Sequence, residues 1–169
     1  MRILAIDPGT YQSGWVVYDT EDHSIPFSGI TPNEEVVETM DVESHLAIEM
    51  VGCYGMAVGK SVFETCVWIG QFIRAWNVGG NCKDTLEELA VYRRDVKLYL
   101  CNSVRAKDAN VRQAILDKFK PYGGGKTPQV GTKKQPGPLY GIKSHMWAAL
   151  GVALTFAARL KEEETQTGQ

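Results

Sequence analysis

Met1-Arg2-Ile3-Leu4-Ala5-Ile6-Asp7-Pro8-Gly9-Thr10 opens the chain. Arg2–Ile6 is a short apolar run halted by Asp7-Pro8-Gly9, the pattern of a buried strand that ends in a turn. Gly14–Tyr18 resumes with Trp15, Val16 and Val17, so the two runs are expected to form an antiparallel hairpin. Ser24–Thr31, interrupted by Pro26 and Gly29, is a weaker third strand. Asn33–Asp41 is acidic and has no assignable period. His45–Met50 is again a compact apolar strand, with Glu49 near its end.

Beyond residue 58 the period changes. Val62, Phe63, Cys66, Val67, Ile69, Ile73 and Trp76 recur at helical spacing, with Lys60, Glu64, Gln71 and Arg74 off that face and Gly79-Gly80 as the stop. Thr85–Ala90 reads as a short helical turn. Val91–Cys101 alternates in part and is expected to be a further strand. Asp108 is placed to cap a helix carrying Val111, Ile115, Leu116 and Phe119, stopped by Pro121. Residues 121–141 hold six glycines and four prolines with almost no apolar period, which predicts a long exposed loop, functional or disordered. Ser144–Leu160 is the last helix, and 161–169 a polar tail. Strands followed by a mixed crossover and helices predict an α/β protein with a mixed sheet flanked by helices. One domain is expected over residues 1–160.

Composition narrows the function classes. The chain has 169 residues, 44% of them apolar, enough for a real core. No apolar run approaches the ~20 residues of a membrane span, and the first ten residues lack the long apolar stretch of a secretory signal. Cysteines at 53, 66, 82 and 101 have neither zinc-site pairing nor the density of a disulfide framework. A cytosolic, reduced protein is expected. The net charge of -2 conceals a division: residues 1–89 carry 4 basic against 14 acidic side chains, residues 90–145 carry 12 against 3. A basic segment of this strength is the expected footprint of a polyanion partner.

Asp7 and Glu49 each stand at the end of an apolar strand. If those strands are neighbours, the two carboxylates meet and repel unless a divalent cation holds them, and oxygen ligands favour Mg2+ or Mn2+ over zinc. Gly123-Gly124-Gly125-Lys126-Thr127 is not a phosphate loop, because position 120 is lysine and no strand precedes it.

The ordered set Ile3–Thr10, Gly14-Trp15-Val16-Val17, Ala47-Ile48-Glu49, the basic segment Val96–Ile115 and the helix Ser144–Thr155 resembles the RuvC-type Holliday junction resolvases of the ribonuclease H-like superfamily. Gly52-Cys53-Tyr54-Gly55-Met56-Ala57-Val58-Gly59 looks most like their phage and prophage branch. Asp-x-Gly-Thr also occurs in actin-like phosphotransferases, but those need two such domains and a longer chain. The resemblance implies a ribonuclease H-like fold and a Mg2+-dependent endonuclease (Mn2+ can substitute) that cuts four-way and other branched DNA in a bacterial cytoplasm. It implies that Asp7 and Glu49 are catalytic metal ligands. Family members end with two acids three residues apart on the last helix; here His145 and Ala148 occupy those places. His145 is then a third catalytic and metal-binding residue, whereas Ala148 can ligate nothing. Three explanations stay open: a site of Asp7, Glu49 and His145 alone, another acid such as Asp108, or an inactivated junction-binding protein. Arg105, Lys107, Arg112, Lys126, Lys133, Lys134 and Lys143 are the expected DNA phosphate contacts, and Tyr54 an aromatic wedge at the junction. The 58–76 helix is apolar around more than one side, Trp68 and Trp76 included; core packing is expected on one face, and a second face is the expected homodimer contact.

Overall fold

The computed structural model describes residues 1–38, 40, 45–52, 55, 57–79 and 84–167. Five strands form one sheet: β1 (Arg2–Asp7), β2 (Gln12–Asp19), β3 (Ser24–Pro32), β4 (His45–Met50) and β5 (Ala90–Tyr92), in the order β3-β2-β1-β4-β5. β1–β2 and β2–β3 pair antiparallel; β1–β4 and β4–β5 pair parallel. The mixed sheet and its flanking helices match the α/β expectation.

Strand alternation sorts the side chains into two cores. Ile3, Ala5, Val16, Tyr18, Ala47 and Val91 face one way, into a layer made by α4 (Arg93–Cys101), α5 (Asp108–Asp117) and α6 (Met146–Thr167). Leu4, Ile6, Val17, Leu46 and Ile48 face the other way, against α1 (Asn33–Glu38), α2 (Lys60–Val78) and α3 (Leu86–Leu89). Because β1 and β4 are covered on both faces, they read as unbroken apolar runs rather than as alternating ones. No described helix is long and apolar enough to cross a membrane.

The segment 91–101 departs from expectation. The strand ends at Tyr92, and Arg93–Cys101 is helix α4. Val96, Leu98 and Leu100 mimic strand alternation, but Leu98 is 53% exposed while Val96 is fully buried. Val96 and Leu100 lie one helical turn apart and pack toward Gly151 of α6, where a Cβ would come within 3.0 Å of Val96 Cγ1. Burial of that i, i+4 pair overrides the local alternation. Asp108 is likewise not the cap of α5: Lys107 holds the N-cap position, and Asp108 begins the helix.

Residues 121–141 contain no helix or strand, as read, yet they close upon themselves. Backbone N–H groups of Gly123, Gly124, Gly137 and Leu139 donate to the carbonyls of Pro128, Gln135, Val130 and Gln129 at 2.8–3.0 Å. Gly123, Gly131 and Gly137 pack backbone on backbone; a Cβ on Gly123 would stand 2.7 Å from Gly131 Cα. Leu139 and Ile142 then anchor the segment in the core. This bonding corrects the picture of a wholly exposed, structureless loop.

Asn33, at the start of the stretch with no assignable period, is fully buried and organises the turn after β1. The Ser13 hydroxyl donates to Asn33 Oδ1 at 2.6 Å, and Asn33 Nδ2 donates to the Gly9 carbonyl at 3.0 Å. The Gly9 N–H in turn donates to Ser13 Oγ at 3.3 Å. Asn33→Ala strands these buried groups without partners. It should cost about 2 kcal/mol, a fall in unfolding midpoint of roughly 4–8 °C at this chain length, readable by calorimetry.

Candidate active site

Strand parity and register bring the two acids together. Ile6 is registered with Ile48 in the parallel β1–β4 pair, so the next residues, Asp7 and Glu49, lie side by side at the carboxyl ends of their strands. Asp7 continues the series Ile3, Ala5, and Glu49 follows Ala47 by two, so both carboxylates face the α6 layer. Their side chains are only 16% and 15% exposed. Desolvation therefore dominates both: burial raises the Glu49 carboxyl to about 7, with the Asp7 charge pushing the same way. Burial also raises Asp7, against the opposing pull of His145. Glu49 Oε2 is buried and has no hydrogen-bond partner.

His145 comes from the segment just before α6. Its Nδ1 lies 2.9 Å from Asp7 Oδ2, so with Asp7 ionised the Nδ1–H donates and Nε2 is the remaining polar atom of the ring. Gly14 permits this contact. It is registered opposite Asp7 on β2 and faces the same layer; a Cβ there would fall 2.6 Å from His145 Cβ and 2.7 Å from its carbonyl carbon. Any larger residue would push His145 away from the sheet.

An open cleft continues from His145, lined among others by Arg93, Asp108, Arg112, Ser144, Trp147 and Ala148. Ala148 thus shares the cleft with His145 but offers no ligand. Arg112 stacks its guanidinium 4.6 Å from the Trp147 ring centroid. Arg105, Lys107, Lys126, Lys133, Lys134 and Lys143 are exposed, but none of them lines this cleft. Tyr54 lies outside the described residues.

The sequence reading missed Gly14 and Arg93. Arg93 follows β5 directly, and β5 pairs with β4 so that Val91 is registered with Glu49. Its Nε stands 3.9 Å from Glu49 Oε1, while its Nη2 donates to Asp108 Oδ1 at 2.7 Å. Reading 91–101 as one strand concealed it; the helix start after a short strand beside Glu49 is what puts it here. Among the described residues, no three His, Cys, Asp or Glu side chains are gathered so as to hold a metal ion. The carboxylate pair itself has the chemistry of a site for a hard divalent cation: clustered oxygen donors, repulsion between them, and one buried oxygen left unpartnered.

No family model and no curated protein sequence matches the chain. Solved structures do. The Thermus thermophilus RuvC structure superposes with a TM-score of 0.61 at 18% identity, over 95% of this chain and 97% of that one. T. thermophilus RuvC in complex with Holliday junction substrate gives 0.62 at 18% identity, over 95% and 96%. At this identity the likeness establishes the fold, a ribonuclease H-like sheet of the RuvC kind.

Gly14→Ala should destabilise the protein by about 1–3 kcal/mol through overpacking and displace His145, seen as lower urea stability and a changed His145 ring signal in NMR. The pH response follows from Glu49. The fold keeps its proton up to about 7, where an unfolded glutamate loses it near 4.5. Between those values the folded state binds more protons, so this group's contribution to stability falls as pH rises. Urea unfolding in EDTA at about pH 5 and about pH 8 should show a loss that Glu49→Gln largely removes.

Proposed function

We propose that this protein is a divalent-metal-dependent, structure-selective endonuclease that resolves four-way DNA junctions, and other branched DNA, by phosphodiester hydrolysis. The observation that carries the reading is the Asp7–Glu49 pair, two carboxylates buried side by side at strand ends with one oxygen unpartnered. Its support is a fold shared with a RuvC whose structure holds a Holliday junction substrate.

Asp7 and Glu49 would hold Mg2+, or Mn2+ in its place. Bound there, such ions lower the pKa of a water and stabilise charge on the leaving oxygen. The protein's own residues do the rest. His145 donates to Asp7 and fixes the orientation of that carboxylate, leaving Nε2 available to a further ligand or water. In the proposal it completes the catalytic set and would serve as a third metal ligand once its ring turns from the Asp7 contact. Arg112, held over the Trp147 ring, offers its N–H donors to a phosphate in the cleft beside the acids. Arg105, Lys107, Lys126, Lys133, Lys134 and Lys143 supply contacts to the phosphate backbone independent of base sequence, and Tyr54 a wedge at the crossover.

Paired nicks need two active sites, and the exposed Phe63, Val67 and Val78 of α2 offer an apolar face for a homodimer. The phage branch and a bacterial cytoplasm complete the proposal.

An end-labelled synthetic four-way junction and a matched linear duplex, each with Mg2+ and then EDTA, test it. Paired, metal-dependent nicks in the junction alone are expected. Asp7→Asn or Glu49→Gln should lower the rate ~100-fold or more, about 2.7 kcal/mol of barrier, with junction binding retained. Tight binding without nicks, restored to cleavage by Ala148→Asp, would instead identify an inactivated resolvase. Absence of any junction preference would refute the reading.

A further inference from the structure

Two buried groups near each other are both left without partners: Glu49 Oε2 and Arg93 Nη1. A carboxylate and a guanidinium ordinarily close into a bidentate pair. Here they do not. Arg93 is the first residue of α4 and Asp108 the first of α5, and both line the cleft beside His145. Asp108 takes Arg93 by Nη2 at 2.7 Å, so that only Nε faces Glu49, at 3.9 Å. Arg93 is half-buried and permanently charged, whereas Asp108 is 79% exposed and keeps its carboxylate ionised through the same contact.

We propose that Asp108 is a positioning residue that holds Arg93 off Glu49, and that this restraint keeps the Asp7–Glu49 pair open to a divalent cation. The inference rests on the metal reading above and deepens it. Arg93 is the site's internal competitor: once released, its guanidinium can satisfy Glu49 Oε2 with Nη1 and occupy with one positive charge the place a divalent ion needs. Asp108 therefore supports metal binding without touching the metal. This also assigns a purpose to an acid that neither caps its helix nor stands on α6 where Ala148 lacks one.

Mn2+ uptake by the free protein without DNA, followed by calorimetry and by the EPR signal of unbound Mn2+, tests the restraint. Asp108→Asn should weaken binding about tenfold, the range of coupling between neighbouring groups. Arg93→Gln should bind at least as tightly as the unsubstituted protein. The decisive variant is the double one: Asp108→Asn with Arg93→Gln should match Arg93→Gln, because no competitor remains to be restrained. Arg93→Met, which keeps the apolar stem, carries the same expectation should the glutamine fold poorly, and unfolding midpoints verify each variant. A double variant as weak as Asp108→Asn alone would overturn the proposal and make Asp108 a ligand in its own right. Unchanged binding in Asp108→Asn, with uptake intact in the unsubstituted protein, would overturn the restraint alone. No uptake by the unsubstituted protein would overturn the metal reading and the restraint with it.

Discussion

The parallel register of β1 on β4 is the constraint from which the rest of the site follows. It sets Ile6 beside Ile48 in a fully buried sheet centre, and one residue further it sets Asp7 beside Glu49. A slip of β4 by one residue would turn Glu49 into the α2 layer, among Leu4, Ile6 and Phe72, and away from Asp7. Apolar burial on both faces thus fixes where two charges must be tolerated. The sheet bears their repulsion at its rim because the strands behind them have no other register that keeps the core dry.

The acids were legible because each ends an apolar run, and a run buried on both faces is among the clearest patterns a sequence offers. Their meeting was only conditional, since no local signal says which strands are neighbours. His145 entered through family resemblance; nothing in a histidine before an alanine-rich helix says that it reaches a residue 138 positions earlier. Gly14 looked like a strand residue, and its role exists only because His145 is pressed against it. Asn33 sat in a stretch without period, and its partners lie 20 and 24 residues back. Arg93 was hidden by a chance alternation in α4 that tertiary burial of Val96 overrules.

The uneven charge along the chain becomes a spatial division. Residues 90–145, the basic segment, build α4, α5 and the glycine-packed loop, and deliver the chain to His145. Their buried side chains Val96, Val111, Ile115 and Leu139 belong to the core on the α6 side. The acidic half supplies α1, α2 and α3 to the opposite face. The field that a sum of -2 hides is therefore directed across the sheet, with the Asp7–Glu49 pair opening toward the basic layer. The polyanion of the proposed function would be drawn toward that layer before contact.

The loop of 121–141 carries a thermodynamic consequence of its backbone packing. A chain segment rich in glycine normally loses much conformational freedom when it is ordered against a ligand, and that loss weakens association. Here the loss has already been met during folding, by backbone hydrogen bonds within the loop and by the mutual contact of Gly123, Gly131 and Gly137. Lys126, Lys133 and Lys134 therefore stand on a backbone prepared before any anion arrives. Their side chains can be exchanged at little cost to the fold, while the three glycines beneath them cannot, so variation along the loop is confined to its surface positions.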